Sequence, residues 1–105
     1  MDKLDATQAA TLLATLPDWA HDSQRDAITR SFRFQDFPQA FAFMTELAIM
    51  AEKRNHHPEW SNVYNRVTMT YTTHDANGLT QNDIDLARHA DAVYARFAGQ
   101  QAAGA

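Results

Sequence analysis

One long apolar segment near the middle of the chain restricts the fold more than any other feature. It lies between Asp36 and Pro58. Pro38 suits the first helical position because its missing N–H would have no intrahelical partner, so we predict a helix over residues 38–54. Its apolar residues form two neighbouring stripes, one of Phe41, Met44, Ala48 and Ala51 and one of Phe43, Leu47 and Met50. An apolar arc this wide predicts burial on two sides, one against a sheet and the other in the same core or against a second subunit.

Each side of this helix carries a pair of short segments with strand character. Residues 19–21 and 27–34 come before it, separated by a polar turn. In the second of these, Ile28, Phe32 and Phe34 share a face at period two, which Arg30 interrupts. Residues 62–64 and 67–71 come after it, flanking a tight turn that we place at Asn65-Arg66. Two hairpins are therefore predicted, one on each side of the central helix.

Helix-forming segments begin and end this pattern. Residues 6–16 follow Asp5, a suitable cap, and stop before Pro17. A last helix is predicted to follow the Asn77-Gly78 turn and to keep helical spacing as far as residue 97. Its N-cap would be Thr80, with Asp83 three residues on in the first turn. Residues 99–105 are predicted to form a frayed tail.

The order α-β-β-α-β-β-α, with hairpin-length links between strands, defines the predicted fold class. We expect an α+β fold in which three helices pack on one face of a four-stranded antiparallel sheet. With 105 residues the chain has the size of a single domain, spanning residues 1–105.

Composition excludes several functional classes. The net charge of −4 and the scattered bases disfavour direct nucleic-acid binding. No cysteine is present, which excludes disulfides, thiolate metal sites and cysteine nucleophiles. No segment has the roughly 20 apolar residues of a membrane span, and the acidic start, Met1-Asp2-Lys3-Leu4-Asp5, does not resemble a signal peptide. We expect a cytoplasmic protein without a membrane segment.

Residues 52–60 carry the most suggestive chemistry, because His56 and His57 are adjacent, stand between Glu52 and Glu59, and precede Pro58. An imidazole ordinarily titrates near ~6.5 and can move protons at neutral pH. The proline restricts His57 to extended geometry and ends the helix, which argues against a simple helix-terminal pair. One ring could then reach a ligand while the other braces it.

Zinc is a weaker interpretation of this pair. Three histidines can form a catalytic metal set, but adjacent rings reach one ion only with backbone strain, and neither H-x-x-x-H nor H-E-x-x-H occurs. We therefore predict no metal ligands.

Neighbouring residues add to the candidate site. Glu52, four residues before His56, could orient that imidazole, although it could equally be an exposed partner of Lys53 or Arg54. Trp60 could stack on a flat ligand, although a lone Trp more often belongs to the core.

The remaining three histidines differ in their surroundings. His74 has the same parity as Thr68, Thr70 and Thr72, which predicts that it belongs to the hydroxyl-bearing face of the last strand. His21 and His89 lack comparable neighbours and are predicted to be surface residues. No nucleophile-elbow motif and no glycine-rich phosphate loop is present.

The motif sequence closely resembles the pterin-4a-carbinolamine dehydratase family. The resemblance rests on residues 51–60, 62–65, 73–74 and 78–80, and extends through residues 25–28, 32–34, 36–37, 40–44 and 83–87. It implies dehydration of a 4a-hydroxytetrahydropterin, the product left by an aromatic amino acid hydroxylase, to quinonoid dihydropterin during tetrahydrobiopterin recycling. It also implies a four-stranded antiparallel sheet with three helices and assembly into dimers or tetramers, with no metal or redox cofactor.

The resemblance assigns roles by position. His56, His57 and His74 would be the catalytic histidines, with His56 and His74 as acid and base and His57 mainly placing the pterin. Glu52 would orient His56. The substrate-binding set would comprise Glu52, Asn55, His56, His57, Trp60, Thr72, Thr73, His74 and Asp75.

Two other functions stay open at this point. Animal relatives also act as dimerisation partners of a transcription factor through a helical surface, so a non-enzymatic co-regulator is one alternative. A role in molybdopterin metabolism is another, because the motif does not report the pterin side chain.

Overall fold

Four antiparallel strands organise the chain in a computed structural model that describes residues 2–104, with side chains described through residue 98. The strands are β1 (Ala20–Asp22), β2 (Ala27–Arg33), β3 (Glu59–Val63) and β4 (Arg66–Tyr71), in the spatial order β1-β2-β4-β3. The helices are α1 (Ala6–Leu13), α2 (Phe37–Arg54) and α3 (Gln81–Gly104). This arrangement confirms the predicted α+β fold and its order of elements.

The two faces of the sheet differ in polarity. On β4, Val67, Met69 and Tyr71 are buried with α2 and α3, whereas Thr68 and Thr70 face the other way. Those threonines hydrogen-bond Ser31 and Thr29 of β2 at 3.1 and 2.7 Å. The helices therefore cover one face, where each large apolar side chain contributes about 1.5–3 kcal/mol by burial, and leave a hydroxyl-bearing face uncovered.

Arg30 interrupts the apolar face of β2 because it has partners inside the helical layer. Its guanidinium lies 2.6 Å from Asp91 of α3 and 4.6 Å from the centre of the Phe32 ring. The Trp19 indole donates to the same carboxylate at 2.9 Å. A charge on the core side is thus paired and hydrogen-bonded, as buried charges require.

The first two elements differ slightly from the prediction. α1 ends at Leu13, three residues early, because the amides of Thr15 and Leu16 bond to carbonyls three residues back. β1 begins at Ala20, not at residue 19. Trp19 is buried instead, with its N–H on Asp91.

The second hairpin is longer than predicted. β3 begins at Glu59, three residues early, and the turn is Tyr64-Asn65, because Val63 pairs with Arg66. Tyr64 takes the left-handed conformation (φ 51°). The Asn62 side-chain amide donates to the carbonyls of Tyr64 and Arg66, which stabilises the turn.

α3 also extends beyond its predicted end. Its backbone is helical to Gly104, through residues 99–104 of the predicted frayed tail, and residue 105 lies outside the described residues. Gly99 costs only about 1 kcal/mol relative to Ala in a helix, and the Gln and Ala residues after it are good helix formers. None of the described helices is both long and apolar enough to cross a membrane.

Candidate active site

The end of α2 sets the position of both adjacent histidines. Asn55 takes the left-handed conformation (φ 49°, ψ 43°), and the amides of Asn55 and His56 return to the carbonyls of Glu52 and Ala51 at 3.2 and 3.0 Å. Such a left-handed residue closes a helix and redirects the chain. His56 and His57 consequently follow the helix and do not continue it.

His56 is anchored in the core by Asp83, from the first turn of α3. Its Nε2 lies 2.6 Å from Asp83 Oδ1, and the two side chains are only 11% and 0% exposed. The ring also stacks on Tyr71, with centroids 6.2 Å apart and planes inclined by 16°. Burial, together with the charge of Asp83, raises the pKa of the Tyr71 hydroxyl well above its ordinary value.

Asp83 is fully buried because its second oxygen has partners as well. Oδ2 accepts hydrogen bonds from the Thr73 hydroxyl at 2.7 Å and from the Thr80 amide at 2.9 Å. Thr80 directly precedes α3, at the predicted N-cap position, and its hydroxyl bonds that of Thr73 at 2.8 Å. A buried carboxylate is stable only when satisfied in this way, so α3 and the segment after β4 are joined at one charge.

His57 is paired with Glu52 at the surface. Its Nε2 lies 2.9 Å from Glu52 Oε1, and both side chains are exposed. The predicted contact between Glu52 and His56 is therefore wrong. It required the helix to persist to His56, whereas Asn55 ends it one residue earlier.

His74 lies in a one-turn 3-10 helix, His74–Ala76, and not on the strand face where it was predicted. β4 ends at Tyr71, and the chain then closes a short loop through hydrogen bonds between Thr73 and Gly78. His74 Nε2 lies 3.4 Å from Glu59 Oε2, the first residue of β3. Glu59 in turn accepts hydrogen bonds of 2.8 and 3.1 Å from Arg25 Nη2. The Arg25 guanidinium holds the pKa of Glu59 below its usual range.

Arg25 stands on the turn between β1 and β2, which is fixed to the loop of His74. The next residue, Asp26, accepts the Leu79 amide at 3.1 Å and the Thr72 hydroxyl, through its backbone carbonyl, at 3.0 Å. A Cβ at Gly78 would collide with the Asp26 carboxylate. Burial alone would raise the pKa of the Asp26 carboxyl, but hydrogen bonds from His21 and the Leu79 amide have the larger combined effect. The pKa of Asp26 is therefore below its ordinary value.

A polar cavity of about 450 Å³ opens beside His74. Its lining comprises Gln24, Arg25, Thr72, His74, Asn77 and Gly78. Two of these, Thr72 and His74, are predicted site residues. Gln24 and Arg25 were not predicted, because nothing local in the sequence connects the first hairpin to the last loop.

The remaining predicted residues take varied positions. Trp60 is half-buried and packs against the core, on the side of its β4 partner Met69. Asn55 and Asp75 are exposed. Thr72 and Thr73 hydrogen-bond Asp26 and Asp83, so both hold the loop that carries His74.

The two histidines predicted to be plain surface residues have more specific surroundings. His21 is exposed, but its Nε2 lies 2.8 Å from Asp26 Oδ1. His89 is half-buried, and its Nε2 is buried without a hydrogen-bond partner. The surface prediction is therefore wrong for His89, which lies on a half-buried side of α3.

The three candidate histidines share one arrangement. Each has a carboxylate at Nε2, from Asp83, Glu52 or Glu59. Among the described side chains, none of these imidazoles hydrogen-bonds another. Thr73, the residue before His74, connects the surroundings of His74 to those of His56, because its hydroxyl bonds Asp83. In the sequence, Asp83 resembles an ordinary helix-terminal acid, and its spacing from Thr80, which is typical of a capping box, is the one signal of a closer contact. Within the same part of the chain, no set of three His, Asp or Glu side chains could hold a metal ion.

Comparisons with known proteins point to one family. Residues 2–93 match the family model of pterin 4 alpha carbinolamine dehydratase. A Burkholderia multivorans protein named "Putative pterin-4-alpha-carbinolamine dehydratase" is 57% identical over 93 residues, which cover 89% of this chain and 91% of that protein. One of the same name from a Bradyrhizobium species is 50% identical over 99 residues, covering 94% and 99%. The crystal structure of a transcriptional coactivator/pterin dehydratase from Brucella melitensis has a TM-score of 0.85 and 46% identity, covering 89% of this chain and 99% of that one.

Proposed function

This chain belongs to the pterin 4 alpha carbinolamine dehydratase family, a family of hydro-lyases, and we propose that it dehydrates a 4a-hydroxytetrahydropterin to quinonoid dihydropterin. In this elimination the C4a–O bond breaks, the departing hydroxyl takes up a proton to leave as water, and N5 loses a proton as the N5=C4a double bond forms. Oxidation state does not change. The proposal therefore needs a proton donor and a proton acceptor, and no cofactor or metal.

One observation supports the proposal most strongly: each of the three histidines meets a carboxylate through Nε2. A carboxylate at one ring nitrogen fixes the imidazole's orientation and favours a proton there, so Nδ1 faces the substrate. In the base Nδ1 is unprotonated and accepts the proton from N5, whereas the acid is an imidazolium whose Nδ1 gives a proton to the leaving hydroxyl. We assign acid and base roles to His56 and His74, and placement of the pterin to His57. Glu52, Asn55, Trp60, Thr72, Thr73 and Asp75 complete the proposed substrate-binding set.

The direct test follows the decay of a 4a-hydroxytetrahydropterin with and without the protein. We expect wild type to accelerate decay, and the double variant His56→Ala/His74→Ala to lose about 10²-fold or more, the usual contribution of positioned acid–base groups. Circular dichroism and thermal melting check that the variant is folded. Wild-type turnover in a folded double variant would refute the histidine roles, and a wild type without acceleration would refute the activity.

The biological setting is a finer part of the proposal. The proposed substrate is the 4a-hydroxypterin that an aromatic amino acid hydroxylase forms from its pterin. We therefore propose that the protein acts in tetrahydrobiopterin recycling, in the cytoplasm. The competing role, in molybdopterin metabolism, differs in the pterin side chain. Comparing kcat/KM for a substrate with a dihydroxypropyl side chain and for one with a phosphorylated side chain separates the two roles, and preference for the latter would overturn the recycling role.

We also propose that the protein forms a homodimer or homotetramer through α2. Phe37, Phe41 and Ile49 are exposed on this helix, and the first two rings lie 5.8 Å apart. Exposed apolar groups that cluster favour an interface. The same face would serve a role as a transcriptional coactivator, which the name of the Brucella relative gives beside pterin dehydratase.

Light scattering during gel filtration tests the interface. Phe41→Ser/Ile49→Ser should lower the molar mass to that of a smaller assembly without unfolding the chain, because both side chains are already exposed. Val63→Ser, at an exposed apolar residue of β3, is the matched control. Dissociation of the Val63 variant alone would contradict an interface on α2. Retained turnover in the α2 variant would show that assembly and catalysis use separate surfaces.

A further inference from the structure

His74 has little to hold it in place by itself. Its side chain is 79% exposed, and it lies in a single 3-10 turn. Among the described side chains, its ion-pair partner is Glu59, at 3.4 Å. A single exposed ion pair stabilises little and does not by itself fix two mobile side chains, whereas a network of several charges can. A catalytic imidazole in this position therefore needs a further support.

Arg25 gives that support through Glu59. One guanidinium nitrogen donates to both carboxylate oxygens, at 2.8 and 3.1 Å, and hydrogen bonds between charged groups are the stronger kind. Glu59 is also fixed at its backbone, since it pairs with Thr70 of β4 at the start of β3. Glu59 is thus held at its carboxylate by Arg25 and at its backbone by β4, and it gives His74 Nε2 a defined acceptor.

The turn that carries Arg25 is joined to the loop that carries His74. Asp26 receives the Leu79 amide on its carboxylate and the Thr72 hydroxyl on its carbonyl. These contacts bracket His74 in the chain, two residues before it and five after it. Arg25 and His74 therefore stand on segments that are held together, and both line the 450 Å³ cavity.

We propose that Arg25 is a positioning residue for the dehydration: through Glu59 it holds His74 with Nε2 bound and Nδ1 open to the pterin in this cavity. This inference rests on the proposed function. Arg25 contacts the carboxylate that orients the imidazole and does not itself move a proton. Its removal should lower kcat and leave KM nearly unchanged, because the imidazole would still be present but would sample other orientations.

The experiment compares Arg25→Gln with Arg25→Lys and with Arg96→Gln. Arg96 forms a similar exposed ion pair with Glu46, between α3 and α2, and serves as the matched control. We expect Arg25→Gln to lose about tenfold in kcat, the effect of one charged hydrogen bond. Arg25→Lys, which keeps the charge, should recover part of it. Arg96→Gln should retain wild-type kcat and KM.

A double-mutant cycle separates positioning from a merely structural role. In a His74→Ala background, Arg25→Gln should have no further effect on the residual rate, because its action passes through the missing imidazole. An equal tenfold loss in that background would overturn the proposal, and so would wild-type kcat in the single Arg25→Gln variant. A wild type without dehydratase activity would instead refute the function itself, and the two failures are thus distinct.

Discussion

His56 and His74 have the same partner chemistry in opposite surroundings. Each presents Nε2 to a carboxylate, but the His56–Asp83 pair is nearly inaccessible to solvent, whereas the side chains of His74 and Glu59 are 79% and 44% exposed. In the core, the surrounding atoms leave the His56 ring no other position, and each oxygen of Asp83 needs a hydrogen-bond donor. At the surface, nothing excludes water, and the carboxylate depends on a second ion pair with Arg25.

This difference separates two ways of holding a proton-transfer group. The buried pair is part of the fold, since Asp83 joins α3 to Thr73 and to the end of α2. The surface pair is part of a loop connection that the fold does not require. Changes at Asp83 should therefore lower stability and activity together, whereas changes on the His74 side should affect activity more than stability.

Asp83→Asn should have the largest effect. The amide cannot accept as many hydrogen bonds, and one of its NH2 donors would face groups that also donate. We expect the free energy of unfolding to fall by about 3 kcal/mol, and kcat to fall by about tenfold or more because His56 loses its orientation. Urea unfolding at pH 7 and the decay assay measure the two quantities.

Asp85→Asn is the matched control, two residues along α3. Asp85 pairs with Arg54 at 3.2 Å where both side chains are more than a third exposed. Its replacement should change stability by less than about 0.5 kcal/mol. Equal losses in the two variants would show that burial does not distinguish the pairs.

The dependence of stability on acid pH should show how much Asp26 stabilises the contact between the β1–β2 turn and the loop that carries His74. The pKa of Asp26 is lowered in the folded protein, so the ionised form favours folding at every pH above its unfolded value of about 4. That contribution is lost as pH falls through the lowered folded pKa. Asp26→Asn keeps a residue that tolerates the left-handed conformation (φ 52°) while removing the charge.

We therefore expect wild type to be more stable than Asp26→Asn at pH 7, with a gap that stays constant to about pH 4 and narrows below it. Urea midpoints between pH 7 and pH 2.5 measure this gap. A gap that widens on acidification would mean that the folded carboxyl has a raised pKa.

Glu52→Gln should have the smallest effect, because the Glu52–His57 pair is exposed on both sides. Stability should change by less than about 0.5 kcal/mol. If His57 places the pterin, KM should rise about two- to threefold with kcat unchanged. Glu46, also on α2, forms an exposed ion pair with Arg96, and Glu46→Gln is the control, which should leave kcat and KM at wild-type values. A loss in kcat for Glu52→Gln would instead assign His57 to proton transfer.

Much of the fold could be predicted from periodicity. Alternation on β2 and β4 and one stripe of α2, Phe43, Leu47 and Met50, correctly indicate which side faces the core. The other stripe was predicted to be buried as well, but Phe41 and Ala48 are exposed. The boundaries that failed were set by individual contacts. β3 begins at Glu59 because Glu59 and Trp60 also pair with β4. Trp19 is not part of β1, because its indole donates a hydrogen bond to Asp91.

The candidate histidines, including the distant His74, could be predicted from the sequence, but the contacts that hold them could not. His56, His57 and Glu52 share a short run, yet their pairing was inverted, because one left-handed residue, Asn55, decides which imidazole meets which carboxylate. Asp83 lies 27 residues from His56, and Arg25 lies 34 residues from Glu59. Such partners follow from the tertiary fold, which periodicity does not specify.

The most direct test of the central claim, that His56 and His74 are held through Nε2 and offer Nδ1 to the pterin, is nitrogen-15 NMR of the histidine side chains. Spectra would be recorded at a pH about two units above the ordinary imidazole value, with and without a non-reacting tetrahydropterin analogue. We predict the Nε2–H tautomer at both residues and an analogue-induced change confined to Nδ1. The Nδ1–H tautomer at either residue, or a spectrum that the analogue leaves unchanged, would contradict the claim.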